Sequence, residues 1–144
     1  MDDGQDGDVP RIDRPILEEI RDRLAGAAQF DQTKINHAEG QLRLEIQFDP
    51  KTSPPSVEKR TLDVRWYTND DFRLHYEESR TDGRWAMRWD RHPSTHNRRD
   101  HFHPPPTAAT PGVDRDWPND YRDVCSLVLE AIRKRTATLW ERTG

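Results

Sequence analysis

Four of the six histidines fall within twelve residues, in the run Asp90-Arg91-His92-Pro93-Ser94-Thr95-His96-Asn97-Arg98-Arg99-Asp100-His101-Phe102-His103. Imidazole titrates near neutrality, ligates borderline metals and both takes up and gives up protons at physiological pH, so the run is suited to acid–base work or to metal binding. Asp90 and Asp100 stand where they can orient the rings. Arg88, Arg91, Arg98 and Arg99 add fixed positive charge for phosphates, and Trp89 and Phe102 offer faces on which bases can stack. With phosphate held, a histidine pair could move protons from a ribose 2′-hydroxyl and to its leaving oxygen, which is what metal-independent RNA cleavage needs.

A metal is the competing use of the same rings. His101 and His103 are one residue apart and project to one side of an extended segment. With His92 or His96 they would supply three nitrogens and leave a position open for water. The cysteines of a closed structural zinc site are absent from the run. No cofactor is therefore required, and a divalent ion stays an option. A plainer account also exists: polar loops in an Arg- and Asp-rich chain gather histidines without function, and Arg98-Arg99 alone is more often a solvated pair. His37 and His75, each alone on an expected strand, read as structural.

The elements that must position this run are visible as periodicity. Asp13 caps a first helix, Pro15 suits its first turn, Glu18 and Glu19 suit its positive end, and Ile16, Leu17, Ile20 and Leu24 form one apolar stripe. The period then becomes two: a strand near Phe30–Asn36, then Leu42, Leu44, Ile46 and Phe48, then Leu62, Val64 and Trp66, then Phe72, Leu74 and Tyr76, then Trp85, Met87 and Trp89. Glu39-Gly40, Asn69-Asp70-Asp71 and Asp82-Gly83 supply short turns, which imply an antiparallel meander. If the apolar sets face the helices, the other face carries Glu45, Arg65, His75, Arg88 and Asp90. A last helix begins near Pro118 and carries Tyr121, Val124, Cys125, Val128, Ile132 and Leu139 at helical spacing. The predicted fold is α+β, a meander of four to five strands with an N-terminal and a C-terminal helix on one face.

Residues 1–11, rich in Asp and Gly, are expected to form a disordered acidic tail, and 12–144 a single domain with a His- and Pro-rich loop at 91–117. Apolar residues make up 31% of the chain and charged residues 35%, a mix that would resist folding were the apolar ones not gathered into these periodic segments. Asp outnumbers Glu by 18 to 9 and Arg outnumbers Lys by 19 to 4, which fits either a salt-rich, halophile-like cytoplasm or GC-rich codons. The net charge of -4 works against nonspecific attraction to phosphate, so RNA would have to be held by a local basic patch. Cys125 has no partner for a disulfide and lies in the helical stripe. No apolar run approaches the roughly 20 residues that cross a bilayer, and the acidic start is unlike a secretion signal, so a cytoplasmic protein without membrane attachment is expected.

The order of a strand ending Arg88-Trp89-Asp90, then His92-Pro93, a spacer, and a closing His101-Phe102-His103 resembles the small toxins of the TumE type, over about residues 40–140. The chain departs from that pattern at Arg91, in the spacer Ser94 to Asp100, and in the prolines from Pro104 to Pro111. The resemblance implies a toxin of a toxin–antitoxin pair, encoded beside a helix-turn-helix antitoxin and acting on RNA by cleavage or binding. It nominates Asp90, His92, His101 and His103 as the catalytic group, with Arg88 as companion; in this reading His101 and His103 are the acid–base candidates, positioned by His92 and Asp90, while Arg98 and Arg99, in the departing spacer, are offered for the substrate by their charge alone. The alternative is a noncatalytic regulatory domain that uses the same loop to hold a metal or a partner protein.

Overall fold

The computed structural model describes residues 10–92 and 99–143. Two helices, α1 (Arg14–Leu24) and α2 (Tyr121–Thr143), enclose a run of strands: β1 (Phe30–Ala38), β2 (Gln41–Phe48), β3 (Val57–Trp66), β4 (Phe72–Arg80), β5 (Gly83–Arg91), β6 (Asp100–His103) and β7 (Val113–Asp114). They form one antiparallel sheet in which every strand lies beside its sequence neighbours. Of the acidic tail, residues 1–9 lie outside the described residues. No helix among the described residues is long and apolar enough to cross a membrane.

Local chemistry explains the ends. The Asp13 carboxylate accepts from the Ile16 amide at 3.2 Å, and proline occupies the first turn of α1. Glu18 and Glu19 fall one turn too late to meet the unpaired amides; Glu18 instead pairs with Arg14 at 3.0 Å. The β1–β2 hairpin turns on Glu39 and Gly40, with φ of 56° and 78°, the doubly left-handed geometry of a two-residue turn.

Register then sorts the side chains. Leu44, Val64, Leu74, Trp89, Phe102 and Val113 oppose one another across β2 to β7, as do Ile46, Leu62, Tyr76 and Met87 across β2 to β5. Most of this face is buried against Leu17 and Ile20 of α1 and Val124, Val128 and Ile132 of α2. The reverse face carries Glu45, Asp63, His75, Arg88 and His103 in one row, and Arg65, Arg73, Asp90, His101 and Asp114 in the next. All five residues expected on the polar face are there.

The sheet has seven strands where alternation predicted four to five. Both additional strands come from the segment expected to be a loop. In β6 the side chains facing the core are Asp100 and Phe102, and those on the reverse are His101 and His103. A pattern search for alternating apolar residues finds only Phe102, because the other positions are polar groups whose nearest partners come from β5. The chain beyond β6 stays alongside β5, where Ala86 donates to the Pro106 carbonyl at 2.8 Å and accepts from Ala108 at 3.1 Å.

Arg91 and Asp100 lock this addition to the segment that leads into α2. The guanidinium of Arg91 donates to both Asp100 oxygens, at 2.7 and 3.2 Å, and to the carbonyls of Trp117 and Pro118 at 2.9 and 3.0 Å. Burial acts to raise the pKa of Asp100, but bonds from Arg91 and from the Trp117 amide outweigh it and hold the carboxyl below its ordinary value.

Candidate functional site

Asp90 sits near the end of β5 on the polar face, directly opposite His101 and one row from His103. Its side chain is the meeting point. His101 Nδ1 lies 3.2 Å from Oδ1, His103 Nε2 2.9 Å from Oδ2, His92 Nε2 3.6 Å from Oδ1 and Arg88 Nε 3.5 Å from Oδ2. The rings of His92 and His101 approach to 4.9 Å between centroids. Thus Asp90, His92, His101, His103 and Arg88, the set nominated by the resemblance to the TumE-type toxins, come together around one carboxylate.

The tautomer of His103 follows from its surroundings. Its Nδ1 lies 2.9 Å from the Ala109 carbonyl, which can only accept, so Nδ1 carries a hydrogen. Nε2 is buried close to Asp90 but makes no well-aligned hydrogen bond, and the Nε2 of His101 is buried without a partner as well. The Trp117 indole donates to the backbone carbonyls of Asp90 and His101, at 3.1 and 3.2 Å, which pins the β5–β6 pair from the other side.

Neighbouring charge is mainly positive. Arg73 and Arg88 flank Asp90 in register, and burial lowers the pKa of Arg88, helped by Arg73 and resisted by Asp90. His75, opposite Arg88, has its pKa lowered first by burial, while a 3.1 Å contact with Glu77 pulls the other way. Arg65 is spoken for by Glu39 at 2.8 Å and Asp63 at 3.4 Å.

Access is uneven. Asp90, His101 and His103 are buried, with 5% exposure or less, whereas the His92 side chain is 51% exposed. An open cleft of about 360 Å³ reaches Asp90 and His92 and is lined also by Tyr67, Arg73 and Arg91. Arg99 forms an ion pair with Asp71, and Arg98 and His96 lie outside the described residues. Sequence reasoning overlooked Arg73, Gly112 and the Ala109 carbonyl. The parity of β4 already placed Arg73 on the polar face; the other two carry no signal, because their role depends on where the proline segment folds back.

A model of the family described as toxin TumE matches residues 13–136, from the cap of α1 well into α2. The chain belongs to the TumE toxin family. The matched span contains the whole sheet and every described member of the candidate site, and membership in a toxin family suggests an antitoxin partner. No curated protein and no solved structure matches the chain.

Proposed function

We propose that this TumE-family protein is the toxin of a pair controlled by a helix-turn-helix antitoxin, and that it cleaves RNA in the cytoplasm at the Asp90, His92, His101 and His103 cluster. The convergence of three imidazoles on the single carboxylate of Asp90 carries this reading. His92, the exposed ring, is the group that a ribose 2′-hydroxyl can approach. It takes that proton, the 2′-oxygen attacks the adjacent phosphorus, and the 5′-oxygen departs with a proton from solvent. Asp90 orients His92, while the buried His101 and His103 hold Asp90 in place as positioning residues. Arg88 faces the cluster and neutralises phosphate there, with Arg99 and, outside the described residues, Arg98 as further candidates for that charge in a chain of net charge -4.

Expression without an antitoxin should arrest growth, and His92→Ala and His101→Ala should each relieve the arrest while purified wild-type protein shortens RNA. Undiminished arrest by soluble His101→Ala protein would sink the assignment. The burial of three of the four residues favours a second reading, a noncatalytic domain that binds a metal or a partner protein, which predicts no turnover of RNA.

A further inference from the structure

We propose that Asp90, His101 and His103 form the seat of one divalent first-row transition-metal ion of the zinc type, with His92 on its open side; this goes beyond the RNA reading and stands without it. Each of the three residues offers a donor atom, and these atoms lie within 4.8 Å of one another in a fully buried group. Two imidazoles and one carboxylate form a three-ligand set that leaves coordination positions open. The nitrogen-rich composition favours zinc, cobalt or iron over magnesium and calcium, which demand oxygen.

The decisive observation is the surplus of nitrogen. His103 spends Nδ1 on the Ala109 carbonyl, and its Nε2 faces Asp90 Oδ2 at 2.9 Å without a hydrogen bond. Asp90 Oδ2 lies off the in-plane direction of that nitrogen, so in the neutral ring the Nε2 lone pair has no hydrogen-bond donor and is open to a cation that also touches the carboxylate. His101 differs: its Nδ1 lies 3.2 Å from Asp90 Oδ1 and its Nε2 is buried without a hydrogen-bond partner, so either nitrogen can be its donor atom. His103, anchored through Nδ1 by a carbonyl outside the ligand set with Nε2 free, has the arrangement in which histidine ligates metals.

The scaffold is rigid where a seat requires it. Asp90 and His101 oppose each other in the β5–β6 ladder, and His103 follows on the same face. Gly112 closes over the pair: a Cβ there would come within 3.0 Å of His101 Cβ and 3.1 Å of His103 Cε1. Arg88, with Nε 3.5 Å from Asp90 Oδ2, opposes further positive charge and weakens affinity without removing a donor.

The test uses the full chain, stripped with chelator and titrated with Co²⁺ followed by its visible absorption, and with Zn²⁺ followed by calorimetry. One ion per chain is expected, with affinity lowered more than about 100-fold in Asp90→Asn and His103→Ala, a larger loss than outer-shell changes cause, and unaltered in His37→Asn. Should the site variants fail to fold, ¹⁵N imidazole spectra of the wild type decide: Zn²⁺ should move the resonances of His101 and His103 and spare His37. Absence of stoichiometric binding, perturbation confined to other histidines, or wild-type affinity in folded Asp90→Asn would overturn the proposal. Tight binding by a protein that never arrests growth would sink only the RNA reading.

Discussion

Glu78 and Asp90 are buried carboxylates on opposite faces of one sheet, and their partners differ in kind. Glu78, on the helix-facing side of β4, has no exposure and receives two guanidinium nitrogens of Arg135 at 2.9 Å each, the Tyr76 hydroxyl at 2.8 Å and Arg80 at 3.5 Å. The Arg135 guanidinium carbon also lies over Trp85, 3.6 Å from the ring centroid. Asp90 meets three imidazoles, whose charge depends on pH and ligands, and beside them the Arg88 guanidinium in one contact at 3.5 Å rather than a fork; two of the buried ring nitrogens stay without a hydrogen-bond partner. A permanent guanidinium in a fork makes a rivet between α2 and the sheet. Conditional imidazoles suit a site whose charge must change. Tyr76 shows how firmly the rivet is closed: burial first, and then the charge of Glu78, push its phenol well above the ordinary range.

The largest effect expected from breaking this contrast is on the rivet. Arg135→Ala leaves Glu78 buried without its fork and should lower stability by about 3–5 kcal/mol in urea unfolding. A loss below about 1 kcal/mol would mean that Tyr76 and Arg80 suffice and that the two carboxylates are alike. Next comes the cover of the histidine site. Gly112→Ala forces a methyl against His101 and the Phe102 carbonyl, both at 3.0 Å, and should cost about 1–3 kcal/mol by overpacking, read as a drop in thermal midpoint.

Asp90→Asn should separate function from stability. The amide oxygen can still accept from His101, so the cost should stay near 1 kcal/mol while growth arrest disappears. A variant that is equally destabilised and fully toxic would make Asp90 a second rivet. The smallest effect belongs to His75. Its pKa in the folded chain is lowered from 6.5, so the unfolded chain binds more protons in that window, and stability falls as pH drops through 6.5 toward the folded value. His75→Gln should flatten the slope of unfolding free energy between about pH 7.5 and 5.5, and an unchanged slope would assign that slope to other groups.

Much of the scaffold was legible in the chain. Alternation from Leu42 to Trp89 marks the central strands because half-buried sheets leave a period of two, and the stripes Leu17–Ile20 and Val124–Val128–Ile132 mark helices that cover one face. The strands β6 and β7 were not legible as strands. Their inner positions include Asp100, made tolerable there by Arg91, which is nine residues away, and by the amide of Trp117, seventeen away. No local pattern reports partners at such distances.

The same division runs through the site. Residue type and the i, i+2 spacing of His101 and His103 determined by themselves that two imidazoles share a side, and the parity of β5 determined that Arg88 and Asp90 share one too. Which residues face each other across strands is a property of the hydrogen-bond ladder, and a slip of one residue would have sent the histidines into the apolar core. Only the tertiary structure placed His101 opposite Asp90, brought Ala109 and Gly112 back over the rings, and buried three members of the cluster while leaving His92 at the surface. Side-chain parity is carried by the local backbone; register and burial belong to contacts between segments that the chain brings together only on folding.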